Sequence, residues 1–136
     1  IRKIEKKKEF KSKKVTIIPK ILKPNINFSL DSKTKKQINN KNLAFDAIVD
    51  LHGKTEVQAY GIILDFVKNC YLNNYKNIII ITGKGKNSIG KLKIKTPSWL
   101  KSKELSKFVV GFDTMPNSKG GEGALFVKLK NINKYK

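Results

Sequence analysis

The chain has 136 residues, enough for one domain with a modest core but not comfortably for two. Thirty Lys and Arg against ten Asp and Glu give +20, where small domains commonly carry about 2 to 8; even allowing for the Lys-, Asn- and Ile-rich drift of A/T-rich coding, this favours a polyanion, nucleic acid above all, as partner. One cysteine excludes an intrachain disulfide, and no apolar run approaches the roughly 18 residues of a membrane span or follows the charged start as a secretion signal would, so a cytoplasmic protein is expected.

Residues 1–45 hold 14 Lys or Arg and 3 acids (+11), whereas 46–136 hold 16 and 7 (+9). The opening from Arg2 to Lys14 is a lysine run with few apolar anchors, and Pro19 and Pro24 keep the stretch from Val15 to Leu30 extended. Residues 1–30 therefore read as a basic arm, disordered when unbound. Asp31 offers an N-cap for a short helix to about Asn39, with Ile38 as its apolar contact, forming a helical lead-in over 31–42.

From Phe45 the pattern is regular. Ala47-Ile48-Val49 predicts a strand ending at Asp50 to Gly53, and Thr55 with Gln58 forms a capping box that opens a helix. Tyr60, Ile63, Leu64, Val67, Cys70 and Tyr71 recur at three- and four-residue spacings as its apolar face, which makes Cys70 a core residue. Four isoleucines, Ile78 to Ile81, predict a central strand covered on both faces.

After a turn over Gly83 to Lys86, Ser88 to Lys101 reads as an interrupted helical region that Thr96-Pro97 restarts, with Trp99 and Leu100 covering the sheet. Phe108 to Phe112 predicts a third strand. Ala124 to Lys130 predicts a fourth, alternating and placed as an antiparallel edge. The expected fold is α/β: a two-layer sandwich with a four-stranded mixed sheet in the order β-α-β-α-β-β, its core at 45–130 and a tail at 131–136.

The candidate chemistry gathers where parallel strands end, the rim on which open α/β sheets build their sites. Asp50 and His52 alternate from one strand tip, so both point the same way, and the acid fixes the imidazole's tautomer and raises its basicity. His52 can then take the proton from an RNA 2′-hydroxyl, which attacks the adjacent phosphate without a metal. It is the only histidine, so a mechanism with two imidazoles is excluded within one chain.

Gly53, Lys54, Gly83, Lys84, Gly85, Lys86, Gly120 and Gly121 are the phosphate-binding candidates; the amides around Gly83 and Gly85 offer an anion nest, and Lys84 neutralises phosphorane charge. Mg²⁺ or Mn²⁺ held by Asp50 and His52 is the other route, on a thin ligand set. No metal-ligating cluster is assigned. Each string also has a structural reading: Asp50 to Gly53 fits a turn, the lysines after Gly83 fit a solvated loop, and the glycines before Ala124 fit a backbone requirement.

Four strings together, Asp50-Leu51-His52-Gly53, Thr82-Gly83-Lys84-Gly85, Pro97-Ser98-Trp99-Leu100 and Gly120-Gly121-Glu122-Gly123-Ala124, resemble the Smr (small MutS-related) domain over roughly Leu30 to Lys130. The Leu30-Asp31 start and the Asn42-Leu43 lead-in look like its stand-alone bacterial branch. The resemblance implies a sandwich similar to the C-terminal domain of translation initiation factor three, with nuclease or nucleic-acid-binding activity on DNA, or on messenger RNA at stalled ribosomes. The family's Asp-x-His pair maps onto Asp50 and His52, and its loop onto Gly83, Lys84 and Gly85. Where many members carry a histidine after that loop, this chain has Asn87. Three functions follow: an RNA endonuclease, a metal-dependent DNA-nicking enzyme, and a non-catalytic RNA- or ribosome-binding module.

Overall fold

The computed structural model describes residues 22–40, 43–83, 91–116 and 123–132. Lys84, Gly85, Lys86, Asn87, Gly120 and Gly121 lie outside them.

Among the described residues four strands form one mixed sheet: β1 (Ala47–Asp50), β2 (Asn77–Ile81), β3 (Val109–Thr114) and β4 (Ala124–Leu129), in the spatial order β1-β2-β4-β3. β1 and β2 are parallel, with Asp50 opposite Ile81, and β4 is antiparallel to both β2 and β3. The C-terminal ends of β1, β2 and β3 and the start of β4 therefore share one rim.

Among the described residues four helices accompany the sheet: α1 (Ser32–Ile38), α2 (Glu56–Leu72), α3 (Lys91–Leu100) and α4 (Lys103–Ser106). Asp31 caps α1, its Oδ1 accepting the Thr34 amide at 2.7 Å; that bond and the Lys128 and Lys33 charges hold its carboxyl below the usual range. The capping box of α2 is complete, with Thr55 and Gln58 each accepting the other's amide at 3.1 Å.

The alternation of each strand splits the core in two. Val49, Ile78, Ile80, Leu125, Val127 and Leu129 meet the helical layer through Ile63, Phe66, Val67, Leu100 and Leu105. On the reverse face Ile48, Ile79, Ala124 and Phe126 meet Leu30, Ile38 and Phe45 of the lead-in. Asp46 secures the rim away from Asp50, its Oδ2 accepting the amides of Lys76 and Asn77 at 2.8 and 3.0 Å.

Three expectations need correction. β4 is interior and β3 is the edge: Ala124 to Val127 are all buried, with Phe126 filling the reverse face, whereas Val110, Asp113 and Thr114 of β3 are exposed. Pro97 does not restart a helix but lies inside α3, because Leu92, Thr96 and Leu100, four apart, are all buried against the core and hold the helix through it. Trp99 and Leu100 cover the sheet as expected, Leu100 fully buried in the helical-side cluster and Trp99 partly buried against it, edge-on to Tyr60 of α2 with ring centroids 5.3 Å apart. The buried face of α2 is centred on Ala59, Ile63, Phe66, Val67, Cys70 and Tyr71, with Tyr60 and Leu64 at its margins.

Residues 22–30, read from sequence as the end of the arm, run as a strap over the free edge of β3. Leu22 is buried in the helical-side cluster and Leu30 in the reverse one, so the strap crosses from one face to the other. The Phe112 amide donates to the Phe28 carbonyl at 3.1 Å, and Asn25 Nδ2 donates at 2.6 Å to the carbonyl of Val110, the residue at the register shift of β3. Gly111 makes this possible, since a Cβ there would lie 2.5 Å from the Phe28 carbonyl oxygen.

Candidate active site

The tip of β1 delivers its two polar side chains outward around one apolar anchor. Leu51 is fully buried, and its amide donates to the Ile81 carbonyl at 2.7 Å, extending the β1–β2 ladder one step past the strand. The turn then closes through the Lys54 amide on the Leu51 carbonyl at 3.0 Å, with Gly53 at φ +81°. That value suits glycine, the residue without a Cβ penalty there.

Asp50 and His52 stand side by side, as strand alternation predicts. Asp50 Oδ1 accepts both the His52 amide at 3.0 Å and its ring Nδ1 at 2.7 Å. A carboxylate on Nδ1 places the neutral ring's proton there and leaves Nε2 with its lone pair. The His52 side chain is 72 % exposed, so the ring stands in solvent while its base is held. Lys54 and Gly53 are exposed beside it.

Gly83, just past β2, closes against the base of the His52 side chain. Gly83 has φ +80°, and a Cβ built on it would lie 3.1 Å from His52 Cβ, so the glycine lets the loop close against the histidine. The Gly123 carbonyl, just before β4, accepts the amides of Thr82 at 2.8 Å and Gly83 at 3.1 Å. The Gly83 amide thus already donates inside the protein, and the amides around Gly85, the rest of the nest expected from sequence, lie outside the described residues. Lys84, Gly85, Lys86, Gly120 and Gly121 of the phosphate-binding set lie outside the described residues.

Sequence reasoning missed the Gly123 carbonyl clamp and the steric role of Gly83. A backbone carbonyl forty positions from its donors leaves no mark in residue type. A glycine directly after a buried strand was the visible sign of a close approach.

Cys70 is not part of this chemistry. It is 1 % exposed, and burial, with the Asp46 charge adding, pushes its thiol up to about 12, so it stays protonated. Among the described residues no three His, Cys, Asp or Glu side chains gather into a metal-holding group. Among the described residues Asp50 and His52 offer two donors with Oδ1 already hydrogen-bonded twice, a thin set for Mg²⁺ or Mn²⁺. No described helix is long and apolar enough to cross a membrane.

A mixed α/β sheet carries an oriented imidazole on its rim in a chain of +20, a charge that suits a polyanionic partner. The Smr domain family model matches residues 49–130, more than half of the chain, and the chain belongs to that family of nucleic-acid-binding, nuclease-related domains. Among solved structures it is similar to the Smr domain of Thermus thermophilus MutS2, with 22 % identity and a TM-score of 0.50 over 61 % of this chain and 96 % of that one, a likeness of fold. No curated protein matches it.

Proposed function

We propose that the chain is an endonuclease that cleaves RNA, with His52 as general base and Asp50 orienting it. The observation that carries this is the double acceptance at Asp50 Oδ1, which aims an exposed ring with Nε2 available. Nε2 takes the proton of a ribose 2′-hydroxyl, the oxygen attacks the neighbouring phosphorus, and the bond to the 5′-oxygen breaks, leaving a 2′,3′-cyclic phosphate. With no second imidazole in the chain, water or a lysine protonates the leaving oxygen. Lys54, exposed two residues on, neutralises phosphorane charge.

RNA is favoured over DNA because its 2′-hydroxyl is a built-in nucleophile that one base can activate. DNA cleavage needs an activated water, the task a bound metal performs, and the described donor pair is a thin ligand set for one. The test is labelled single-stranded RNA and matching DNA incubated with protein, with and without EDTA, and analysis of the product ends. Chelator-resistant cleavage of RNA alone, ending in cyclic phosphate, is expected. His52→Ala should slow it about 10²- to 10⁴-fold while RNA binding persists. Undiminished cleavage by that variant removes the assigned base, and tight binding without any product leaves a binding module.

A further inference from the structure

We infer that the groove along the β3 edge holds a single-stranded stretch of RNA flanking the bond cut at His52, an inference that rests on the reading of the site above. The groove, about 430 Å³, lies beneath the strap, where Ile26 is 95 % exposed and the half-buried rings of Phe28 and Phe112 sit 5.7 Å apart. Lys35 of α1 flanks it from the reverse face of the sheet and Lys101, just past α3, from the helical face. Two aromatic rings and an exposed isoleucine set among polar residues, with a cation on either side, make a composition that can bind unpaired bases and their phosphates.

A second groove of about 290 Å³ shares Lys35 and Asp113 with the first and continues to Thr114, Met115 and Pro116. It brings the path to the end of β3, on the rim that carries Asp50 and His52. Three strand spacings of about 4.8 Å separate those ends, roughly 14 Å along the rim. The surface leads toward the site.

The chemistry of the edge decides the class of occupant. Several groups a peptide strand would pair with on β3 are already engaged: the Phe112 amide donates to Phe28, the Val110 carbonyl accepts from Asn25, and the Thr114 amide donates to Asp113 Oδ1 at 2.8 Å. What the groove offers is side chains. A duplex, which presents phosphates and buries its bases, would leave Ile26 and the rings unused, whereas an unpaired strand uses both features. The Asp113 carboxylate in both grooves opposes a phosphate there and accepts from a base amino group.

The test uses the full chain and a labelled single-stranded RNA with 2′-O-methyl riboses, which cannot be cut, so binding is read apart from cleavage. Lys35→Gln with Lys101→Gln should flatten the slope of log K against log salt by about 1.4, or about twentyfold in affinity at 0.1 M salt. Lys68→Gln with Lys76→Gln, which line neither groove, should cost clearly less. With 5-iodouracil in the strand, photocrosslinks should fall on Phe28 or Phe112. Equal losses from both pairs, or crosslinks confined to other segments, overturn the groove. If instead the groove variants behave as stated while His52→Ala still cleaves, the groove stands and the catalytic assignment fails.

Discussion

Asp50 spends one oxygen on both the backbone and the ring of His52, so a change at this carboxylate acts through the histidine. In Asp50→Asn the amide oxygen can still accept the His52 amide, but it carries no charge to hold the Nδ1 proton, and its NH₂ group favours the opposite tautomer. The expected result is a fall in kcat of about 10²-fold or more with KM within about twofold, because phosphate contacts are untouched. A kcat within twofold of the parent chain would show that the pair is only a turn-stabilising bond. The same reasoning explains why this pair was legible in sequence: residues i and i+2 on a strand share a face whatever surrounds them. The fate of the Gly83 amide was not legible, because it depends on where the start of β4 comes to rest.

At the level of elements, two glycines separate a steric requirement from a merely tolerated residue. Gly111 faces the Phe28 carbonyl with no room for a methyl group, so Gly111→Ala must push the strap off β3 and should cost about 1 to 3 kcal/mol. Gly61, inside α2, has nothing within 4 Å of a built Cβ, and Gly61→Ala should stabilise by about 0.5 to 1 kcal/mol. Urea melts of the two variants check this; shifts of the same sign would mean that the strap is not seated as described. β2 was readable because its four isoleucines leave no polar face. β4 was misplaced because Lys128 and Lys130 imitate an exposed alternation, although Lys128 is half-buried, with Nζ 3.3 Å from Thr34 Oγ1, and Lys130 Nζ donates to the Lys23 carbonyl at 2.8 Å. Packing likewise overrode local preference at Pro97, where a proline inside an isolated helix costs about 3 kcal/mol.

For the molecule as a whole, charge and fold overlap at the start of the chain. Residues 1–21 hold nine Lys or Arg and two Glu, net +7, while 22–30 add one lysine and place Leu22 and Leu30 in the two core clusters. We propose that the first segment is an electrostatic tether and the second a part of the domain, which two truncations separate. Removing 1–21 should flatten the salt dependence of RNA binding while leaving the melting temperature nearly unchanged. Removing 1–30 should flatten it to a similar extent, since only one more cation is lost. That longer deletion also strips Leu22 and Leu30 from the two clusters, at about 1.5 to 3 kcal/mol each, and bares the β3 edge. It should therefore melt well below the shorter one. Equal melting temperatures would detach the strap from the fold, and an unchanged salt slope after losing seven net charges would mean that RNA is held by the domain alone.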